Sequence, residues 1–488
     1  MNAIESLFDA LFYPEQEKRY PWLRYGWILA LFLFGVYLWG KFLSWNTLLL
    51  DFYDWGKLNT PRLLFLQNAF KAGELPLHLS SPAALLGLTD RFFSIPDVIT
   101  TPQTLLLMVV DIPTFIVIDI LIYYALGFIG LLWFRRRVGL SLFAFTVLFF
   151  LFMFNGHVLA HYSVGHLNWD AYFLFPVIFM YLIRFLDGDK GWRWVAGFSF
   201  AIFWMALSGG WHQILWIYMF VGILLLSCRE RLWLIAGCVF SAFLSAIRFL
   251  PPALELQTFT EIKTFKMVLG YPALAEVLES MLFIRRPVLA PAEYAQFNLY
   301  GYEKFYWEFN FYLGVIGTLF LVIFGIYFWF KNQKPQYREL IVPAIVLVAF
   351  SIGSTFWLVR LSGIPFVSGE RVTSRIISLP IVLFMMMSVS HFQQWMDQKR
   401  FLSWHRVIFS SALILFSLDL YNNLRVWRFS ESANYFGDNM IDLAGSAVAN
   451  HPDPAYFTIL GIGLVITTIT ALLLFFLSLR EKQAQAKK

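Results

Sequence analysis

Long apolar runs, separated by shorter polar stretches, organise this chain. A bilayer core about 30 Å thick asks for roughly 20 apolar residues in helical conformation. About twelve runs approach that length: 26–45, 113–134, 140–155, 169–186, 193–208, 211–227, 232–250, 309–330, 340–359, 373–392, 405–421 and 457–479. The pattern predicts an all-α, polytopic integral membrane protein. The apolar stretch 105–134 is too long for one upright helix, and Pro113 is expected to separate an interfacial piece from the span proper. After the first span, Thr60 suits a helix N-cap, Pro61 the first helical position and Gly73 the stop. The apolar-rich stretch between them predicts a short interfacial helix lying on the membrane surface. The expected organisation is a cytoplasmic segment 1–25, a transmembrane core 26–392 with outer loops 46–112 and 251–308, and C-terminal helices with a cytoplasmic tail over 393–488.

Charge orients these spans. Lys18, Arg19 and Arg24, Arg135 to Arg137, Arg184, Lys190 and Arg193, Arg229 and Arg231, Lys331 to Arg338, Lys399 to Arg406 and Arg480 to Lys488 fall in alternate loops. By the positive-inside rule both termini are cytoplasmic, in a plasma (inner) membrane, and the long loops 46–112, 251–308, 360–372 and 422–456 face outward. Composition agrees: the 488 residues are 59% hydrophobic and 14% charged, with a mean hydropathy of +0.65. No soluble fold needs so much apolar surface. The net charge of +6 reflects those basic loops, not a nucleic-acid partner. Cys228 and Cys238 lie in apolar segments near one face, so neither a disulfide nor a CxxC metal site is expected. Met1 to Tyr25 mixes acids and bases, so the first span reads as an uncleaved anchor.

Unusual polar residues gather on the outward side. Asp51 and Asp54 follow the first span three residues apart, the arrangement of a general base or a metal ligand, or of two acids ending a span. Gly156-His157, His161, Gly165-His166, Trp169 and Asp170 form a second group. His157 and His161 share a helical face but lack the intervening Glu of a zinc protease motif, so contact with a sugar or phosphate reads better than a metal cage. Ser208-Gly209-Gly210-Trp211-His212-Gln213 is a tight turn, needed for its own geometry or to bring backbone close to a ligand. Gly369-Glu370-Arg371 with Arg375 offers two guanidinium forks suited to an anionic headgroup, or partners for Glu370 or Asp51. Arg248, near a span end, needs a partner, and so do Asp119 and Asp419, which lie inside the second and eleventh spans. Lys263, Lys266, Arg285 and Arg286 read equally as a solvated face. No motif demands a cofactor. A divalent cation remains compatible with Asp51, Asp54 and one of His157 or His161, although hard cations prefer oxygen ligands.

Taken in order, these segments resemble a known group. Gln67 to Pro76 (QNAFKAGELP) is similar to a helix followed by G-E-x-P. Gly210-Trp211-His212-Gln213 resembles a G-H-P-Q turn, and Pro251 to Leu256 a P-x-x-E-L motif. Tyr306-Trp307-Glu308 with Tyr312-Leu313-Gly314 resembles W-E-x-x-x-Y-x-G, and Glu370 to Arg375 resembles R-x-x-x-R. Together, from Asp51 to about His391, they resemble the GT-C superfamily of membrane glycosyltransferases, and more closely the bacterial YfhO-type polytopic family. The resemblance implies a GT-C-like core that transfers a sugar, with inversion, from a polyprenyl-phosphate carrier to an acceptor on the outer face. It implies Asp51 or Asp54 as base, with Arg371, Arg375, His212, Arg248 and Glu370 around the lipid phosphate. His157, His161, His166, Asp170 and Glu74 are then candidate contacts to sugar or acceptor. The alternative is a non-catalytic GT-C-like accessory or scaffold subunit of a larger membrane complex. A secondary transporter would instead place its charged groups at the midplane, where only Asp119 and Asp419 lie.

Overall fold

A computed structural model describes residues 3–45, 48, 50–255, 270–285, 306–331, 337–361, 370–398, 403–436 and 444–486. Among these residues there is no strand, only three isolated β-bridges. Among the described residues eight helices are long and apolar enough to cross a membrane: α1 (Pro21–Leu43), α3 (Ile112–Val138), α4 (Leu142–Ser163), α5 (Leu167–Leu186), α10 (Trp307–Lys331), α13 (Thr373–Gln398), α14 (Trp404–Phe436) and α15 (Pro454–Ala486). A ninth results if α8 (Arg231–Leu244) and α9 (Ala246–Ala253), bent by 69°, are one span. The chain is therefore an all-α polytopic membrane protein.

Three expected runs fall short of full spans. Helices α6 (Trp192–Leu207) and α7 (Trp211–Ser227) are apolar but short, at 16 and 17 residues. The run 340–359 is broken into α11 (Ile341–Phe350) and α12 (Gly353–Leu361). At the break Tyr271 inserts, donating its N–H to Ser351 O (2.9 Å) and accepting from Gly353 N (3.1 Å). Hydropathy could not register this interruption, because the inserted segment supplies the missing backbone partners.

Helices α4 and α13 form the centre, and their most apolar windows are wholly buried. Two close approaches pack the neighbours against them. In α10 the backbone opens into a π-helical segment over Leu321–Tyr327. Such an opening releases a carbonyl, and His391 of α13 meets Phe324 O through Nδ1 at 2.9 Å. Gly325 has no room for a side chain, since a Cβ there would lie 2.8 Å from Phe384 O. In α3, Gly127 and Gly130 let α5 press close, as small residues do between membrane helices. The bend between α8 and α9 frees the N–H of Ile247, and Thr467 of α15 accepts it through Oγ1 at 3.1 Å, as a low-dielectric surround demands. Helices α14 and α15 are peripheral, and α15 exposes Ile462, Leu464, Val465, Ile469, Phe475 and Phe476, a surface suited to lipid.

One end of the bundle collects the basic loops. Arg135 pairs with Glu17, Arg137 with Asp187 and Arg184 with Asp189, while Lys190 meets Glu230 at 2.8 Å. Glu481 of α15 accepts from Arg193 N at 2.8 Å. Residues 3–20 are not a loose tail: Phe12 is buried and its ring stacks on Phe143 at 4.5 Å.

The opposite end is roofed by the loop between α1 and α3. Its main element is α2 (Thr60–Ala72). Gly73 stops α2 in the left-handed region (φ 69°), as its sequence predicts. Thr60 does not cap it. A π-helical turn over Trp55–Asn59 already precedes it, and Thr60 Oγ1 donates instead to Leu50 O at 2.7 Å. Nor is α2 an exposed helix. Most of its residues are buried, Arg62 donates to Ala84 O at 2.7 Å, and Gln67 donates to Leu107 O and Val110 O at 3.1 and 2.9 Å. Those two side chains anchor the rest of the loop, so the helix is enclosed by it. Helix α3 begins at Ile112, one residue before Pro113, with the Asp111 side chain accepting from Thr114 N at 2.9 Å.

Candidate functional site

The loop roof is fastened to the turn between α4 and α5, and that fastening creates the site. Trp55 Nε1 donates to Tyr162 O at 2.9 Å, and Asn59 donates to Gly165 O. Gly165 holds φ +93°, and a Cβ there would meet Trp55 N at 2.5 Å. Only glycine satisfies both the positive φ and the contact. The clamp brings Asp54 to His166, Nε2 to carboxylate 3.3 Å.

From His166 the network runs inward. Its Nδ1 is 2.6 Å from His161 Nδ1 and 3.5 Å from a terminal nitrogen of Arg375. Arg375 forms a two-pronged ion pair with Glu308, with Nε to Oε2 at 2.6 Å. His161 stacks on Trp169 at 4.0 Å and lies edge-on to His157. His157 in turn places Nδ1 3.0 Å from Asn310 O. Asn155 caps the second half of α4, accepting from His157 N and Val158 N, so both histidines project from a fixed helical start. If His161 donates to His166 Nδ1, His166 carries its proton on Nε2 and donates to Asp54. One Asp54 oxygen is then held while the carboxylate stays partly exposed.

Tyr53 sits against this cluster. It is a non-glycine residue in the left-handed region (φ 43°), a conformation that persists only when its surroundings enforce it. Its ring packs on Trp307 and Phe436 at 5.0 and 4.8 Å. Burial, then the nearby Asp54 and Glu308 charges, push its hydroxyl above the ordinary tyrosine value; Arg375 and Arg371 act in the opposite sense. Arg371 is thus within charge reach of the same ring.

The other sequence candidates are distributed as follows. Asp51 is half-buried, with Oδ1 buried and without a hydrogen-bond partner; its backbone abuts Gly56. Arg371 and Arg375 do not share a helix face, because Arg371 precedes the 3-10 turn Thr373–Ile377 that carries Arg375. The partner of Arg375 is Glu308, not Glu370 or Asp51. Glu370 belongs to a separate pair, accepting from His212 Nδ1 at 2.8 Å and Trp216 Nε1 at 3.2 Å. Burial alone would raise its carboxyl pKa; His212, Arg375 and the Trp216 N–H outweigh burial and hold it below the ordinary 4.5. The glycine turn preceding His212 serves the backbone: a Cβ on Gly209 (φ +77°) would lie 2.5 Å from Asp97 O.

Arg248 lies outside the cluster. Its donors go to the carbonyls of Ala206, Phe93, Ile95, Pro96 and Val98, so it clips the loop roof and leaves no fork for a phosphate. Asp170 is buried beneath the site and accepts from Tyr162. Asp119 accepts from Gln103 at 2.8 Å and meets no arginine among the described residues. Asp419 accepts from Tyr312 at 2.5 Å. Glu74 is exposed and pairs with Asn450 at 3.4 Å, away from the cluster. Arg285 pairs with Glu279 at 2.8 Å; Lys263, Lys266 and Arg286 lie outside the described residues.

The residue that sequence reasoning missed is Glu308. It stood only as part of a motif, yet a carboxylate at a span entrance is a natural counter-ion for an arginine at another. His161, His166 and Glu308 present ligand atoms within 4.8 Å of one another, enough to consider a metal ion. Arg375 already places a cation on Glu308 and beside His166, however, and a second cation there would meet direct repulsion. The arrangement suits proton handling and anion recognition better. No protein-family model, no curated protein and no solved structure matches the chain.

Proposed function

We propose that this protein is a membrane transferase that moves a sugar from a polyprenyl-phosphate donor to an acceptor at the outer face of a bacterial plasma membrane. Twelve crossings with cytoplasmic termini are part of this reading. The convergence of Asp54, His166, Arg375 and Glu308 at the end of the bundle opposite the basic loops carries it. The resemblance to GT-C enzymes supports it by placing a base in this loop.

Asp54 accepts the proton of the acceptor hydroxyl as that oxygen bonds to the anomeric carbon. The bond from this carbon to the phosphate oxygen breaks, and the lipid phosphate leaves with the electron pair. His166 orients Asp54, and the exposed Arg371 receives the developing phosphate charge. Asp51 serves as a loop residue in this scheme, and Arg375 organises the histidines through its ion pair. Asp54→Asn should reduce transfer by about 10²–10⁴-fold in proteoliposomes supplied with a polyprenyl-phosphate sugar. Its elution volume and denaturation midpoint should stay unchanged. Full activity in that variant would refute the assignment.

A scaffold role is favoured by one observation, the neutralisation of Arg375 by Glu308. It predicts stable co-purification with other membrane chains and no turnover under any donor.

A further inference from the structure

A second group of histidines and carboxylates lies away from Asp54, where the loop roof meets the segment leading into α15. Residues 77–80 are held on both sides. Leu79 N donates to Asp90 O and Phe92 N to Leu77 O, each at 2.9 Å, while Ala449 N donates to His78 O at 3.0 Å. His78 N donates to Asn450 Oδ1 at 3.1 Å. This backbone frame brings three side chains together. His451 Nε2 lies 2.8 Å from Asp90 Oδ2, and the His78 and His451 rings are 4.0 Å apart.

We propose that His78, Asp90 and His451 form a binding site for a divalent transition metal of the zinc class. Their ligand atoms lie within 4.8 Å of one another. Tetrahedral coordination at about 2.0–2.1 Å needs them closer, roughly 3.3 Å apart. Rotation of His451 and Asp90, both partly exposed, supplies the difference.

Two further observations favour a metal over a plain ion pair. His78 is wholly buried, and its Nδ1 has no hydrogen-bond partner; an orphaned imidazole nitrogen is costly unless something occupies it. The other ring nitrogen, Nε2, faces Asp453 at 3.5 Å, and Asp453 is itself gripped by Arg91 through Nε at 2.6 Å. A carboxylate on Nε2 favours the tautomer that leaves a lone pair on Nδ1, and a carboxylate on one ring nitrogen is the usual support of a histidine that binds metal through the other. Unlike Glu308, Asp90 makes no arginine contact among the described residues; Arg91 is turned to Asp453 and Glu255. Two imidazoles and one carboxylate select a borderline ion over calcium or magnesium. The fourth position opens to water on the exposed side. Bound there, the ion fastens the loop roof to the entrance of the last helix.

The test uses full-length protein in detergent, stripped with chelator, loaded with zinc chloride and gel-filtered before metal analysis. About one zinc per chain should be retained, and cobalt substitution should give the visible absorption of a tetrahedral site. His451→Ala and Asp90→Asn should each weaken retention at least tenfold, while His166→Ala leaves it intact. The proposal is overturned if the unaltered protein retains no zinc, if His451→Ala retains as much, or if His166→Ala abolishes binding. Because none of the three ligands belongs to the Asp54 cluster, failure here leaves the transferase reading standing, and the reverse holds.

Discussion

The two histidine–carboxylate clusters share residue types and reach, yet they differ in what already fills them. At the α4–α5 turn, Arg375 sits on Glu308 and beside His166, so positive charge is built in. At the junction with α15, Arg91 is drawn off by Asp453 and Glu255, while both clusters keep an unpartnered imidazole nitrogen, at His161 Nε2 and at His78 Nδ1. The difference shows that ligand spacing alone does not define a metal site. On the proposals for these two clusters, the placement of the nearest guanidinium separates donors that handle protons from donors that coordinate an ion.

The largest effect should come from removing the built-in cation's partner. Glu308→Ala leaves the Arg375 guanidinium buried and unpaired, which should cost about 3–5 kcal/mol and lower the thermal midpoint in detergent sharply. A midpoint close to that of the unaltered protein would mean that Arg375 reaches solvent. Next comes the clamp that positions Asp54. Gly165→Ala combines a positive φ with a Cβ 2.5 Å from Trp55 N. It should destabilise by about 1–3 kcal/mol and depress transfer by raising KM and lowering kcat together. Equal stability would show that the loop roof shifts without strain.

Glu370 offers a sharper contrast through pH. Its folded pKa lies below its unfolded value, so the stabilisation is complete above about pH 4.5 and is lost as pH falls through the folded value. Glu370→Gln should flatten the decline of the thermal midpoint below pH 5, and an unchanged slope would assign that decline to other acids. The smallest effect is expected at the second cluster without metal. His451→Ala removes a partly exposed pair and should change apo-protein stability by less than about 1 kcal/mol. A larger loss would mean that the pair itself, not an ion, fastens the junction.

Much of this molecule was legible from its linear pattern. The helical class, the peripheral apolar spans and the glycine stop of α2 follow from local physics: length against bilayer thickness, and the freedom of Gly73 at positive φ. The sequence also picked out Asp54, His161, His166 and Arg375 as unusual polar residues. It did not connect them. Glu308, some 250 positions from Asp54, becomes the partner of Arg375 only when α10 and α13 pack against α4. Arg248 looked like a phosphate holder because its five carbonyl acceptors come from backbone distant in the chain.

Hydropathy and charge order by themselves determined that this chain is a helical membrane protein with its basic loops at one end, since each helix satisfies its own backbone and needs no distant partner. Tertiary structure decided which polar side chain meets which, where the 340–359 helix breaks, and that α2 is enclosed. Those outcomes depend on pairings across hundreds of residues, where a buried charge or carbonyl takes whatever partner the packed helices bring within about 3 Å.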